Sequence, residues 1–380
     1  MREEKRTMRE IGVGIIGTGF MGKAHALAYR TVSGIFPTVL SPVLEIVADN
    51  NPDAGKRAHR QFGFKRVTAN WRELVKDPAI EIVSITTPNL VHREMALAAI
   101  EAGKHVHCEK PIAPNAEDAR AMMEAAEARG VKTQVGYNYL KNPLLALARD
   151  MVAAGELGEI VGFRGIHAED YMLDSEIPWY WRVDPRGGSG AVADLGSHII
   201  GLARFLLGPI AELSADLETV VKDRPVAPGA SGRRPVEVDD SARLLVRFAR
   251  GCRGTVEANW VATGRKMHLG FEISGRKGAL VFTQERFNEL LHFRVDSDAR
   301  HAGFTRIETG PQHHPYGLFC VAPGHQLGFN DLKTIEVADF LEAIAGGQSK
   351  GPDFREAWEI QKVIDAALRS AKERRWVRVD

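Results

Sequence analysis

The chain has 380 residues, 50 basic and 49 acidic side chains, and a formal net charge of +1. This balance, without a long single-sign block, argues against a surface dedicated to nucleic acid or to a membrane. The length predicts two domains, and the three widely separated cysteines predict neither a disulfide framework nor a structural zinc site.

The N-terminal segment MREEKRTMRE is charged and lacks the apolar region of a signal peptide. No window of the chain approaches the apolar run that a transmembrane helix needs. We therefore expect a cytoplasmic protein in a reducing compartment.

The first third of the chain alternates β-rich runs with helical stretches. Strands are predicted at 11–17, 43–49, 65–68, 80–87 and 105–110, and helices at 20–32, 52–63, 70–78, 90–103 and 115–129. Asn70 is the expected N-cap of the third helix, and Gly103 is expected to close the fourth. Repeated units of this kind predict a doubly wound α/β domain with a parallel sheet, over residues 1–138.

The pattern changes after residue 138. Strands with partial alternation are predicted at 159–171, 210–220, 241–249, 254–262, 267–274 and 279–283, and FARGCRGTVEANW is typical of a hairpin. Helices are predicted across 193–208, 332–345 and 354–373, and the Pro- and Gly-rich segment 221–240 is predicted to be a surface loop. Residues 139–380 are therefore expected to form an α+β domain with a mainly antiparallel sheet.

The segment GIIGTGFMG places Gly17, Gly19 and Gly22 in a G-x-G-x-x-G spacing between a predicted strand and a predicted helix. The first glycine permits a tight turn, the second lets a pyrophosphate approach the backbone, and the third allows close helix packing. The helix N-terminus faces the anion in such motifs. This context favours a Rossmann-type dinucleotide site over a purely structural glycine-rich turn.

Asp49 ends the second predicted strand, where a carboxylate accepts hydrogen bonds from an adenosine ribose. It lies further from the glycines than usual, which we attribute to the loop SGIFPTVLSP. A carboxylate repels a 2′-phosphate, so NAD is expected as the cofactor in preference to NADP. Lys56 and Arg57, one or two helical turns further on, keep NADP open as the alternative.

Three ionisable residues are candidates for catalysis. Lys110, in CEKP at a predicted strand end, either stabilises an alkoxide or forms an ordinary salt bridge with a neighbour such as Glu109. Asp194 and His198 are four residues apart in ADLGSHIIGLARFLLG, which places them on one face of a predicted buried helix. They are either a structural hydrogen-bonded pair or a carboxylate that fixes the tautomer of a general base.

Three further histidines and an aromatic-rich loop are considered as metal ligands or substrate contacts. His105 and His107 share a predicted strand face, but no further ligands have recognisable spacing, so no metal site is expected. His25 is interpreted as a packing or capping residue. The segment 167–190 is dense in aromatic, acidic and arginine side chains, which suits a polyhydroxylated ring but equally a packed loop or a subunit contact.

The order of the glycine motif, EKP and DLGSH resembles the Gfo/Idh/MocA oxidoreductases, the family of glucose-fructose oxidoreductase and inositol dehydrogenase, over essentially the whole chain. The resemblance implies a Rossmann domain followed by an α+β domain with a large open sheet, through which a homo-oligomer, a dimer or a tetramer, forms. It implies catalytic roles for Lys110, Asp194 and His198, and a cis peptide before Pro111.

The motifs and the resemblance together predict two sets of contacts. Cofactor contacts are expected from Gly17, Thr18, Gly19, Phe20, Met21, Gly22, Asp49, Asn50, Thr87, Pro88, Asn89, His92, Glu109, Lys110 and Asn138. Substrate contacts are expected from Lys110, Tyr137, Tyr171, Trp181, Arg182, Asp194 and His198.

The expected reaction is NAD-dependent oxidation of a secondary hydroxyl of a sugar or cyclitol. In it, His198 takes the proton, Lys110 stabilises the alkoxide, and Asp194 orients His198 or binds a neighbouring hydroxyl. The aromatic loop and the segment PGHQLGFNDLKTIEVADFL are most similar to family members that act on inositols or levoglucosan. An NAD-dependent glycosidase and a non-catalytic dinucleotide or sugar sensor are the alternatives, because the fold alone does not determine the reaction.

Overall fold

We describe the protein from a computed structural model that covers residues 8–296 and 298–380. These residues form two compact units: the first contains 8–113, 117–141 and 327–358, and the second contains 114–116, 142–326 and 359–380. The segment 327–358, expected in the second domain, thus belongs to the first unit.

The first unit contains a sheet of six parallel strands in the order β3-β2-β1-β4-β5-β6. The strands are β1 (Arg9–Ile16), β2 (Leu40–Ala48), β3 (Arg66–Thr68), β4 (Ile82–Ile85), β5 (His105–Cys108) and β6 (Thr133–Val135). The helices between them are α1 (Phe20–Ile35), α2 (Pro52–Phe62), α3 (Trp71–Lys76), α4 (His92–Glu101) and α5 (Ala116–Arg129). Every residue of β4 is buried, as expected for a strand in a sheet covered on both faces. The predicted doubly wound parallel sheet is confirmed.

The predicted residues lie at the start of α3 and just after the end of α4. The Asn70 side chain accepts a hydrogen bond from Arg72 N at the start of α3, which confirms the predicted N-cap. Gly103, just beyond α4, has φ +73°, a left-handed conformation that glycine adopts without strain. The fourth helix begins later than predicted, because residues Asn89–Val91 form a 3-10 turn before His92.

The second unit contains a nine-stranded sheet in the order β16-β15-β14-β13-β7-β12-β11-β8-β17. Its strands are β7 (Ile160–Ala168), β8 (Ile210–Glu218), β11 (Ser241–Phe248), β12 (Arg253–Asn259), β13 (His268–Gly275), β14 (Gly278–Thr283), β15 (Glu289–Arg294), β16 (Thr305–Glu308) and β17 (Val377–Arg378); β9 (Asp223–Pro225) and β10 (Arg233–Pro235) form a separate hairpin. The β7–β12 pair is parallel and the other pairs are antiparallel. The mainly antiparallel sheet and the hairpin of β11 with β12 are therefore confirmed.

The remaining helices are α6 (Pro143–Ala153), α7 (Ala191–Asp194), α8 (Gly196–Leu207), α9 (Tyr316–Phe319), α10 (Phe329–Ile344) and α11 (Phe354–Glu373). Helix α10 belongs to the first unit because Val337, Phe340 and Leu341 pack into the same core cluster as Val13 of β1 and Tyr29 of α1. These apolar side chains are almost completely removed from water, and burial of this kind is the main stabilising term in folding.

Two sequence expectations about secondary structure are wrong. The helix predicted across 193–208 is interrupted at Leu195, and the segments Pro185–Asp194 and Gly196–Leu207 are bent by 56° relative to one another. The predicted loop 221–240 contains the hairpin β9–β10. Neither three-residue strand offers enough alternating positions to be recognised from sequence.

Among the described residues, no single helix is long and apolar enough to cross a membrane; one bent pair, Pro185–Asp194 with Gly196–Leu207, meets the length and composition test. The three cysteines of the chain, Cys108, Cys252 and Cys320, are free thiols.

Candidate active site

The glycine loop of the first unit is shaped for the close approach of another molecule. Gly17 has φ +97°, and a Cβ atom at this position would lie 2.9 Å from Thr86 O. A Cβ atom on Gly22 would lie 2.2 Å from Gly17 O, whereas one on Gly19 would meet no atom within 4 Å. Gly17 and Gly22 therefore serve the turn and the helix packing, and Gly19 leaves open space at the N-terminus of α1. That arrangement fits the pyrophosphate of a dinucleotide.

Asp49 follows β2 and lies beside the glycine loop. Its Oδ2 accepts hydrogen bonds from Thr18 N at 2.9 Å and Thr18 Oγ1 at 2.5 Å, and its Oδ1 accepts one from Asn51 N at 2.8 Å. The carboxylate is thus held at the carboxyl edge of the sheet, where it fits an adenosine ribose. Arg57 lines a neighbouring groove of about 330 Å³ together with Lys23.

The loops after β4 and β5 are joined by a buried histidine. His92 Nε2 is 2.8 Å from Thr87 O, and its Nδ1 is 3.1 Å from Pro111 O. The ring is completely buried, and burial lowers the pKa of His92. The Lys110–Pro111 peptide is cis, as the family resemblance implies. His92 thereby fixes both strand-end loops around the predicted cofactor contacts Thr87, Pro88, Asn89 and Lys110.

Asn138 supplies an independent sign of a bound group in the first unit. Its side chain is buried, and within the described part of the chain its Nδ2 has no hydrogen-bond partner. A buried amide donor in a native protein is normally satisfied by protein, water or ligand. Together with the open space at Gly19 and the carboxylate of Asp49, this donor fits a dinucleotide. Tyr137 beside it is buried, and its predicted substrate contact stays a prediction.

Glu109 of the EKP segment is part of a buried ionic network. Its Oε1 is 2.8 Å from His25 Nε2 and 2.9 Å from Lys333 Nζ. Lys333 also lies 2.7 Å from Glu336 Oε1, which is 2.9 Å from His107 Nε2. Burial alone raises the pKa of Glu109, but the Lys333 ammonium and the His25 hydrogen bond bring it well below its ordinary value.

The network also determines what Glu109 contacts. Its Oε2 accepts a 3.3 Å hydrogen bond from the backbone N–H of Lys110. A Cβ on Gly136 would lie 2.2 Å from Glu109 Oε1, so only a glycine leaves room for the carboxylate. The Glu109 carboxylate is therefore engaged inside the unit and supports the backbone of Lys110. Its predicted direct contact with the cofactor stays a prediction.

Ligand atoms of His25, His107 and Glu336 lie within 4.8 Å of one another, a spacing that suits a metal ion. The outer ring nitrogens already have partners, because His25 Nδ1 is 2.7 Å from Ser84 Oγ and His107 Nδ1 is 3.1 Å from Tyr29 OH. Burial, above all, lowers the pKa of His25 to about 3, so its ring is neutral near pH 7. We interpret these three residues as part of the hydrogen-bonded network around the Lys333 ammonium group. This interpretation agrees with the prediction that His25 is a packing residue.

Asp194 of the second unit is held by two donors on one oxygen. Tyr171 OH donates to Asp194 Oδ2 at 2.5 Å, and Arg182 Nε donates to the same atom at 3.1 Å. Burial first, and then the charge of Asp194, raises the pKa of Tyr171 well above its ordinary value. The structure thus brings together three residues that the sequence analysis places in the substrate site.

His198 lies at the start of α8, and its ring centroid is 5.4 Å from that of His167. His167 Nδ1 is 3.0 Å from Leu195 O, at the break between α7 and α8, and its Nε2 is 3.1 Å from Glu169 Oε1. Sequence reasoning missed His167, although its position at the end of strand β7 was the available signal. The broken helix also means that the spacing of Asp194 and His198 does not place them on one regular helical face.

Asp239 caps the short helix that ends at Asp194. Its Oδ2 accepts a 2.8 Å hydrogen bond from Val192 N, and its backbone oxygen accepts one from Ala191 N at 2.8 Å. Burial raises the pKa of Asp239 to about 7. Gly190, with φ +115°, is needed here because a Cβ would lie 2.2 Å from Asp239 Oδ1. Sequence reasoning missed this cap, since it comes from 47 positions further along the chain.

Aromatic side chains accompany the Asp194 cluster. The Arg182 guanidinium lies 4.3 Å from the centroid of the Trp181 ring, a cation–π contact. Trp181 is 36% exposed, and its indole contacts the Tyr180 ring edge to face. An exposed aromatic face beside fixed polar groups suits the stacking of a sugar ring.

Comparison with known proteins agrees with this geometry. An oxidoreductase family with an NAD-binding Rossmann fold matches residues 11–137, and the GFO/IDH/MocA C-terminal domain matches residues 145–281. Levoglucosan dehydrogenase from Pseudarthrobacter phenanthrenivorans is 39% identical, over 98% of this chain and 99% of the relative.

Solved structures of levoglucosan dehydrogenase are also similar to this chain. A complex with NADH and L-sorbose is 40% identical with a TM-score of 0.94, covering 98% of this chain and 100% of that one. A complex with NADH and levoglucosan has the same identity and coverage and a TM-score of 0.93. The chain therefore belongs to the GFO/IDH/MocA family of NAD-dependent oxidoreductases.

Proposed function

We propose that the protein oxidises a secondary hydroxyl of a sugar or cyclitol, with His198 as the base. The observation that carries this proposal is the cluster of Tyr171, Arg182 and Asp194, with the His198 ring in the same unit. Asp194, held in place by its two donors, orients His198 or accepts a hydrogen bond from a neighbouring substrate hydroxyl. Bound NAD supplies the hydride acceptor.

Lys110 is proposed to stabilise the alkoxide that forms when the hydroxyl loses its proton. Its ammonium group is a compact positive charge on a flexible stem, suited to a developing negative charge. Its backbone is fixed by the Glu109 carboxylate and, beyond Pro111, by the His92 ring. Rigid support of this kind is what a group that stabilises a transition state needs, because reorganisation during the reaction is costly.

Levoglucosan is the first substrate that we propose to test. The levoglucosan dehydrogenase relative matches 98% of the chain at 39% identity, and a solved structure of levoglucosan dehydrogenase holds NADH and levoglucosan. The exposed Trp181 ring beside Arg182 and Asp194 is consistent with a rigid ring that carries several hydroxyl groups.

We also propose that the chain forms a homo-oligomer through the large sheet. Residues alternate along β11: Ala242, Leu244 and Val246 are buried, whereas Leu245 is 54% exposed. A groove of about 770 Å³ lies on the face of the sheet that Leu245 occupies, with Ile166 and Leu245 among its lining residues. An exposed apolar patch of this kind is typical of an interaction site, here with a second copy. The three free thiols agree with a reducing compartment such as the cytoplasm.

The test is NADH formation from levoglucosan, L-sorbose, inositols, aldoses and sugar acids, with NAD and NADP offered separately. His198→Ala and Lys110→Ala are expected to lower kcat by about 10²- to 10⁴-fold, and His198→Ala should leave the Kd for NADH unchanged. The exposed residues His301 and Lys132 supply control variants, His301→Ala and Lys132→Ala, which should turn over like the wild type. Wild-type kcat in either active-site variant, or release of a reducing sugar without net NADH, would contradict the proposal.

A further inference from the structure

The hairpin β9–β10 buries an arginine against the loop that carries the aromatic residues. Arg224, in the middle of β9, pairs with Arg234 of β10, and its side chain is fully buried. A buried guanidinium loses its hydration, which hydrogen bonds to the protein can replace. The two terminal nitrogens of Arg224 have such partners, whereas its Nε has none among the described residues.

The Arg224 guanidinium donates to backbone carbonyl groups of one irregular loop. Its Nη2 lies 2.6 Å from Met172 O, and its Nη1 lies 2.8 Å from Asp174 O and 3.5 Å from Ile177 O. These carbonyls belong to a stretch between β7 and α7 without regular strands or long helices, in which buried polar groups need partners from elsewhere. One planar group with five donors satisfies several of them at once.

Other residues of the hairpin hold the same loop. Pro225 O accepts a 2.7 Å hydrogen bond from Trp179 N, and the Arg234 guanidinium lies 3.5 Å from the centroid of the Trp179 ring. Arg233 contributes an ion pair with Glu176 at 3.0 Å. The loop is therefore attached to the hairpin along most of residues 172–179.

The two ends of this loop meet at Asp194. Tyr171 precedes Met172, and Arg182 follows Trp179 by three positions; both donate to Asp194 Oδ2. A shift of the loop would therefore move both donors and the exposed Trp181 ring together. Misplacement of a positioning group by about 1 Å can cost an enzyme about a hundredfold in rate.

Resting on the function proposed above, we propose that the hairpin of residues 223–235 clamps loop 171–182 in the shape that binds the sugar, with Arg224 as its positioning residue. Arg224 does not act on the substrate. It determines sugar affinity through the loop backbone, and the Arg234–Trp179 contact adds a smaller share.

The experiment compares Arg224→Met, Arg224→Lys and Arg234→Gln with the wild type, using levoglucosan as the probe. Sugar affinity is measured without turnover, as the Kd of levoglucosan for the enzyme–NADH complex, and then as KM and kcat with NAD. Arg224→Met is expected to weaken sugar binding by about tenfold to a hundredfold. Arg224→Lys should recover part of this loss, and Arg234→Gln should cost about threefold. The Kd for NADH should stay at the wild-type value in all of them.

Arg247→Met is the matched control, because Arg247 pairs with Glu212 on the large sheet and is 43% exposed in its side chain. Wild-type levoglucosan affinity in both Arg224→Met and Arg234→Gln would overturn the clamp. Loss of NADH binding in Arg224→Met would indicate that this variant does not fold. In that case the exposed-site variant Arg234→Gln decides: threefold weaker levoglucosan binding supports the clamp, and wild-type levoglucosan binding overturns it. Absence of NADH formation by the wild type on every sugar would instead overturn the proposed function.

Discussion

Two clusters of ionisable residues, one in each unit, differ in their access to water. The first is the Glu109 network, defined as His25, His107, Glu109, Lys333 and Glu336, which is at least 95% buried at every member. The second is the Asp194 cluster, defined as Tyr171, Arg182 and Asp194, in which the Arg182 side chain is 31% exposed and the Asp194 side chain is 13% exposed. Both contain opposite charges at hydrogen-bond distance, so composition does not distinguish them.

The difference in access assigns different roles to the two clusters. The members of the sealed network are removed from water and satisfy one another, and Glu109 also supports the backbone of Lys110. A cluster with partial access can accept a hydrogen bond from a hydroxyl group of a bound sugar or donate one to it. Perturbed pKa values occur in both, which shows that such shifts alone do not identify a catalytic group.

The largest expected effect concerns the sealed network. Lys333→Met leaves Glu109 and Glu336 buried without their cation, and loss of one partner of a buried pair typically costs about 3–5 kcal/mol of unfolding free energy. Lys350→Met is the matched control, because Lys350 also pairs with carboxylates of α10 but its side chain is 50% exposed. Exposed pairs contribute about 0–1 kcal/mol. Urea unfolding of both variants makes the comparison, and equal losses would contradict the assigned role of the network.

How far each cluster can be predicted from sequence depends on the length of its connections. The glycine motif and the alternation of strands and helices are local patterns, and the parallel sheet predicted from them is confirmed. Lys333 reaches Glu109 across 224 positions, and Asp239 caps α7 across 47. No spacing rule relates residues so far apart, because only the folded chain brings them together. The break at Leu195 escaped prediction for another reason, since an apolar run is equally compatible with one helix or two.

The second expected effect is on the pH dependence of the unfolding free energy, which should differ between Asp239, beside the Asp194 cluster, and Glu109. Asp239 caps α7, the helix that ends at Asp194, and its pKa is raised to about 7, chiefly by burial and partly by Asp240. An aspartate in the unfolded chain has a pKa of about 3.9, so unfolding between this pH and about pH 7 releases a proton. This group therefore lowers the unfolding free energy by up to about 1.4 kcal/mol per pH unit as pH rises from 4 to about 7.

Asp239→Asn keeps an acceptor for Val192 N but removes the titration, so the pH slope in this window should become flatter. Glu109→Gln is the control, because the pKa of Glu109 is lowered and its contribution is lost only as pH falls below the ordinary range of glutamate. Its effect should therefore be the same at pH 5 and pH 8. Urea unfolding at several pH values gives both slopes, and an unchanged slope in Asp239→Asn would refute the prediction.

The smallest expected effect uses one phenol from each region. Tyr171→Phe removes a donor to Asp194 Oδ2, and a hydrogen bond to a charged group contributes about 1.5–3 kcal/mol. We expect kcat/KM for the sugar to fall by about tenfold, while the ring still packs on Trp260. Tyr29→Phe removes the phenol that bonds to His107, and should lower the unfolding free energy by about 1 kcal/mol without changing kcat/KM. If both variants lost activity alike, the Glu109 network would have to act on the substrate as well, and the division between support and chemistry would fail.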